Sequence, residues 1–150
     1  MVYRTEEEKL GTVLFAIDES GSMGDDDVRD AIGIVIQAKD YYKSLFVIKH
    51  DYNIGWKKLY ETVDDVNIDE LLERKHCGGT SHKEVFEFIN DFVRRDSDNM
   101  VSAYIGITDM DSDIERCQNN IPFGIPVIYI TNNDRKHPKV EGKIIKINAT

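Results

Sequence analysis

The stretch Val13-Leu-Phe-Ala-Ile17 carries no polar residue and stops abruptly at Asp18-Glu-Ser-Gly-Ser-Met-Gly24. A strand that buries only one face alternates apolar and polar residues, whereas one covered on both faces need not. This run therefore predicts an interior strand of a sheet with helices packed on both sides. Its last apolar residue leads directly into a polar, glycine-containing turn. That combination suits the α/β class, in which crossover helices cover both faces of such a strand.

The rest of the chain fits that class. Asp25, Asp26 and Asp27 suit the start of a helix, where carboxylates meet exposed amide groups and the positive end of the dipole. Val28, Ala31, Ile32, Val35, Ile36, Lys39 and Tyr42 continue at helical spacing, which predicts a helix to about Tyr42. Leu45 to Ile48 reads as a second buried strand. Gly55 to Tyr60 reads as a third, at an edge, because Lys57 and Lys58 would face water. A short helix is expected over Ile68 to Arg74. Ser81 and Glu84 form a capping-box pattern opening another, with Val85, Phe86, Phe88, Ile89, Phe92 and Val93 on its apolar face. Met100 to Ile107 is a further strand, followed by a brief helix capped by Ser112 and Glu115. Pro126 to Ile130 is a fifth strand and Gly142 to Ile147 a sixth. The expected architecture is thus a mostly parallel sheet of about six strands with helices on both faces. The direction of the last strand stays open, because Thr131 to Glu141 is short for a helical crossover and could form a hairpin-like return.

Length and charge narrow the function classes. The 150 residues suit one domain spanning 1–150, with 1–11 as a polar N-terminal segment. A net charge of −9 argues against a nucleic-acid backbone or an anionic membrane surface as partner, since both reward clustered Lys and Arg. No apolar run approaches the ~20 residues needed to cross a bilayer. The first ten residues carry no apolar signal core, so a cytoplasmic location is expected. Cys77 and Cys117 fit no zinc spacing and read as ordinary reduced thiols.

Three polar segments terminate or follow elements that a parallel sheet would bring to one edge. Asp18-x-Ser20-x-Ser22 offers one carboxylate and two hydroxyls in a single turn, with Gly21 and Gly24 allowing the backbone to fold back. Gly78-Gly79-Thr80 offers a third hydroxyl just before a helix, and Thr108-Asp109 a second carboxylate at a strand end. In open α/β sheets ligands sit beyond the carboxyl ends of the strands. Oxygen-only donors suit a hard cation such as Mg²⁺, with Mn²⁺ or Ca²⁺ as alternatives. Asp18, Ser20, Ser22, Thr80 and Asp109 are therefore the candidate metal site. Singly, each has a plainer reading: the Ser-Gly-Ser segment as a polar turn, Thr80 and Asp109 as cap or turn residues.

An apolar strand followed by D-x-S-G-S-M, a Gly-Gly-Thr turn opening a helix, and a strand ending in Thr-Asp together resemble the von Willebrand factor A-type (VWA) fold with its metal-ion-dependent adhesion site (MIDAS). The resemblance runs from about Val13 to Ile147. More narrowly, the chain looks like the compact VWA-like domain of bacterial and phage metallopeptidase-associated proteins, through its short middle with His50-Asp51, its Cys-Gly-Gly-Thr turn and its tail from Pro138 through Gly142-Lys-Ile-Ile-Lys-Ile147. The resemblance implies a three-layer αβα, Rossmann-like domain. It implies direct ligation by the Ser20 and Ser22 hydroxyls, ligation by Thr80 directly or through water, and roles for Asp18 and Asp109 through waters or as outer acceptors. It further implies a protein–protein interaction domain whose metal completes its coordination with a partner's Asp or Glu. Cytosolic VWA proteins often work with AAA+ ATPases, which makes such an ATPase the first candidate partner. Met110 departs from the pattern, since the family usually has Gly after the third-motif Asp.

Two other classes compete with this reading. A hydrolase is the main rival, but no His is placed to activate a nucleophile, and no His-Glu-x-x-His zinc motif is present. The remaining class is a structural domain whose metal only locks three loops together. Asp109, Asp111 and Asp113 invite a calcium-loop reading, yet the Gly and Glu that an EF-hand requires are missing, so Asp111 and Asp113 read as helix caps. His50, His76 and His82 lie near the same edge without the close pairing of a zinc site.

Overall fold

The computed structural model describes residues 10–18, 24–50, 54–73, 83–95, 101–108, 125–131 and 143–146. Strand β1 (Leu10–Asp18) is followed by helix α1 (Asp25–Gln37), strand β2 (Tyr42–His50) and strand β3 (Ile54–Tyr60). Helices α2 (Ile68–Leu72) and α3 (Lys83–Arg95) precede β4 (Val101–Ile107), β5 (Val127–Thr131) and β6 (Lys143–Lys146). The six strands form one sheet in the order β3-β2-β1-β4-β5-β6. Every neighbouring pair is parallel except β2 and β3. The sheet is therefore mostly parallel, and the direction that the sequence left open for the last strand is parallel.

The unbroken apolar run of β1 follows from its central position. Val13, Leu14, Phe15, Ala16 and Ile17 are all buried. Successive side chains of a strand point to opposite faces. Val13, Phe15 and Ile17 accordingly pack with Val28, Ala31, Ile32 and Val35 of α1 and Leu71 of α2. Leu14 and Ala16 pack with Val85, Phe86 and Ile89 of α3 and with Tyr104 and Tyr129. Full burial of one such side chain contributes about 1.5–3 kcal/mol, so β1 anchors two cores at once.

At the edge, β3 exposes Lys57, Lys58 and Leu59. Charged residues on an outer strand discourage pairing with another chain. Both lysines also reach back to the helices: Lys57 Nζ lies 4.6 Å from the Phe88 ring centroid, and Lys58 Nζ donates to Glu70 Oε1 at 2.8 Å. Among the described residues no helix is long and apolar enough to cross a membrane.

Several element boundaries differ from expectation: β1 begins at Leu10, inside the expected polar segment 1–11, and β2 spans Tyr42–His50 instead of Leu45 to Ile48. The first helix ends at Gln37 instead of about Tyr42, and a 3-10 turn over Lys39–Tyr41 leads into β2. Tyr42 opens that strand with an extended backbone, and its hydroxyl donates to the Val35 carbonyl at 2.7 Å. Tyr42 and Val35 do meet, as helical spacing implied, but through a side-chain hydrogen bond to the helix end. Helix α2 ends at Leu72, short of Arg74. Its C-terminal carbonyls at Glu70 and Glu73 accept hydrogen bonds from the buried Lys49 ammonium, the latter at 2.7 Å. A cation at a helix C-terminus satisfies carbonyls that lack intrahelical partners and complements the dipole.

Candidate functional site

The strand order reverses around β1. The chain moves outward through β2 and β3, returns beside β1 as β4, and moves outward the other way through β5 and β6. The carboxyl ends of β1 and β4 therefore flank the point where successive connections diverge. That is where an open α/β sheet leaves a crevice.

The side chains at that edge are polar and buried. The buried polar residues Asp18, Lys49, His50, Thr108 and Thr131 all lie at or just beyond strand carboxyl ends. Four of them fall at one level of the sheet. Asp18 is paired in register with His50. Ile17 is paired with Ile107, which sets Thr108 beside Asp18. Ile107 is in turn paired with Ile130, and the Thr108 amide donates to the Ile130 carbonyl at 3.1 Å, which sets Thr131 beside Thr108. Strand alternation assigns all four to the face carrying Tyr104, Tyr129 and α3. Lys49 has the opposite parity and serves α2, with its ammonium 4.6 Å from the Trp56 ring centroid.

Asp18 is the only predicted metal-site residue that lies among the described residues. Ser20, Ser22, Thr80 and Asp109 lie outside them, as do His76, His82, Cys77, Cys117, Met110, Asp111 and Asp113. Asp18 is fully buried, and the Thr108 hydroxyl donates to its Oδ2 at 2.8 Å. A buried carboxylate needs such donors, because removing its hydration is costly. Hydrogen bonding to an ionised acceptor is about twice as strong as between neutral groups. This bond ties the ends of β1 and β4 together directly.

Below this level on the same face stand two tyrosines. The Tyr104 ring meets Tyr129 edge-on at 6.2 Å between centroids and Phe86 at 5.9 Å. Burial above all, then Tyr129, then the charge of Asp18, hold the Tyr104 hydroxyl well above its ordinary pKa. Gly106 lies between Tyr104 and Thr108 along β4. A Cβ there would come within 3.0 Å of the Tyr104 hydroxyl and 3.3 Å of the Tyr129 ring. A glycine is needed because the two aromatic rings close over it.

Beside the Asp18 carboxylate at this level stand the Thr108 and Thr131 hydroxyls and the His50 imidazole, and no group of three His, Cys, Asp or Glu able to hold a metal ion occurs among the described residues. Oδ2 is already engaged by Thr108. Sequence reading counted Asp109 and treated Thr108 only as the strand end; Thr131 was not singled out. One signal was available for both, since each is the polar residue that stops an apolar run at the parallel edge. Neither a family model nor a curated protein sequence matches the chain.

Proposed function

We propose that this chain is a divalent-metal-dependent protein–protein interaction domain with a MIDAS-type site, built on a three-layer αβα, Rossmann-like VWA fold. The observation that carries the proposal is the buried Asp18 carboxylate at the end of the central strand, hydrogen-bonded by Thr108 from the neighbouring strand end. That contact brings the first and third motifs of the resemblance to one point of the sheet, beside the reversal in strand order. Two cores on opposite faces of β1, one with α1 and the other with α3, support the layered architecture.

In this reading Ser20, Ser22 and Thr80 hold the cation through hydroxyl oxygens, and Asp18 and Asp109 orient its waters. The bound Mg²⁺ would supply a compact positive centre able to take one further oxygen ligand. The Thr108 hydroxyl fixes the Asp18 carboxylate in place. A partner's Asp or Glu is the natural last ligand, and an AAA+ ATPase in the cytoplasm is the first candidate to present it. No chemical step is assigned to the domain.

The test is thermal unfolding in EDTA and then in millimolar Mg²⁺, Mn²⁺ and Ca²⁺, beside a Ser20→Ala/Ser22→Ala variant. Ligand at 100 times its Kd stabilises by about 2.7 kcal/mol. At ~3 °C per kcal/mol for a domain of this size, the melting temperature should rise by about 8 °C. The variant should show no rise. Equal behaviour of wild type and variant at saturating metal, together with metal-independent capture of partners, would overturn the proposal.

A further inference from the structure

The Tyr104 hydroxyl is buried, with no hydrogen-bond partner among the described residues. A buried hydroxyl left in that condition costs about as much as a lost hydrogen bond, and native structures rarely keep one without a water or an ion. Its surroundings are not uniformly apolar. The hydroxyl reaches along β4 to Gly106, ending 3.0 Å from where a Cβ would sit. Thr108 is the next residue on that face, about 6.6 Å further along the strand. Asp18 stands beside Thr108 and accepts a hydrogen bond from its hydroxyl. Tyr104, Gly106 and Thr108 thus follow one another on one face of β4, with Asp18 beside the last of them.

We infer that Tyr104 is a positioning residue for Asp18, acting through one buried water held between the Tyr104 hydroxyl and the Thr108–Asp18 pair. The side chain forms the floor of the carboxyl-edge site and fixes the carboxylate from below while Thr108 fixes it from the side. Gly106 is what lets the ring lie along the strand and deliver its hydroxyl there. A water needs two to four polar partners to remain in an interior, and Tyr104, Asp18 and Thr108 supply three. The influence of the Asp18 charge on Tyr104 is the electrostatic sign of the same proximity. The consequence for cation binding rests on the metal-site reading above; the water bridge does not.

Tyr104→Phe separates the possibilities, because the sign of its effect depends on whether the hydroxyl has a partner. In EDTA, loss of a bridged hydroxyl should lower the melting temperature by about 3 °C, the scale of one buried hydrogen bond in a domain this size. With Mg²⁺ as the probe, the concentration giving half of the metal-induced shift should rise about tenfold, the lower end for groups that orient metal ligands. A melting temperature unchanged or raised in EDTA would overturn the inference, since deleting an orphaned hydroxyl is neutral or stabilising. A lower melting temperature with an unaltered Mg²⁺ midpoint would overturn the positioning role. If wild type shows no Mg²⁺ response, the metal reading fails, and the inferred role for cation binding falls with it. The comparison in EDTA then still decides the water bridge. A high-resolution crystal structure should show one water within about 3 Å of the Tyr104 oxygen.

Discussion

Thr108→Val is the sharpest perturbation of the carboxyl edge. Valine keeps the shape of threonine and removes only the hydroxyl, so a buried carboxylate loses the donor that reaches its Oδ2 at 2.8 Å. A hydrogen bond to a charged group contributes about 1.5–3 kcal/mol, and Asp18 is fully buried, so the expected loss is about 2 kcal/mol. At ~3 °C per kcal/mol this lowers the melting temperature by about 6 °C. The assay is urea unfolding in EDTA at neutral pH, where metal plays no part. Repeating the substitution in an Asp18→Asn background isolates the charge: a neutral acceptor should halve the cost to about 1 kcal/mol. Thr108→Ser, which keeps the donor, should cost less than Thr108→Val. The reasoning is refuted if Thr108→Val is within about 0.5 kcal/mol of wild type, the usual scatter of neutral surface changes. It is also refuted if the cost is the same with aspartate and with asparagine.

Three further outcomes follow from the same geometry. Gly106→Ala adds a Cβ at 3.0 Å from the Tyr104 hydroxyl and 3.3 Å from both tyrosine rings, and overpacking of this kind should cost about 1–3 kcal/mol in denaturant unfolding. Lys49→Met strips the donor from the Glu70 and Glu73 carbonyls at the end of α2 and should cost about 2 kcal/mol, with the earliest loss of amide-exchange protection in 68–73. Glu70 is held below the usual carboxylate range by hydrogen bonds from Lys58 and then Tyr60. Because its folded value is the lower one, its contribution is complete above the ordinary carboxylate range and disappears as pH falls through the folded value. Glu70→Gln should therefore flatten the acid side of a plot of melting temperature against pH; an unchanged acid side would remove Glu70 from the account.

Much of the sheet was legible because burial leaves an unambiguous pattern. Val13 to Ile17 could be uninterrupted only in a strand covered on both faces, and both faces are covered. The lysines of β3 likewise marked an edge. The end of α1 was not legible, because Tyr42 satisfies helical spacing and strand burial equally well; the hydrogen bond that decides between them runs from its side chain to a carbonyl. The direction of β6 could not be read, since the pattern of a short strand is the same either way. At the candidate site, Asp18 was visible as the residue that ends the central run. Thr108 and Thr131 carried only the signal of a polar residue that stops an apolar run, and Tyr104 fits an ordinary strand residue until register sets all three on one face. Ser20, Ser22, Thr80 and Asp109 lie outside the described residues, so the sequence pattern alone speaks for them.

The most direct measurement is anomalous scattering from crystals of the domain grown with millimolar Mn²⁺. The account predicts one strong peak beyond the carboxyl ends of β1 and β4, about 2.2 Å from the Ser20 and Ser22 hydroxyl oxygens, between the usual Mg²⁺ and Ca²⁺ distances. Asp18 should keep its hydrogen bond from Thr108 beneath that peak. A strong peak elsewhere on the molecule, or none at this edge in crystals whose density shows Ser20 and Ser22, would contradict it.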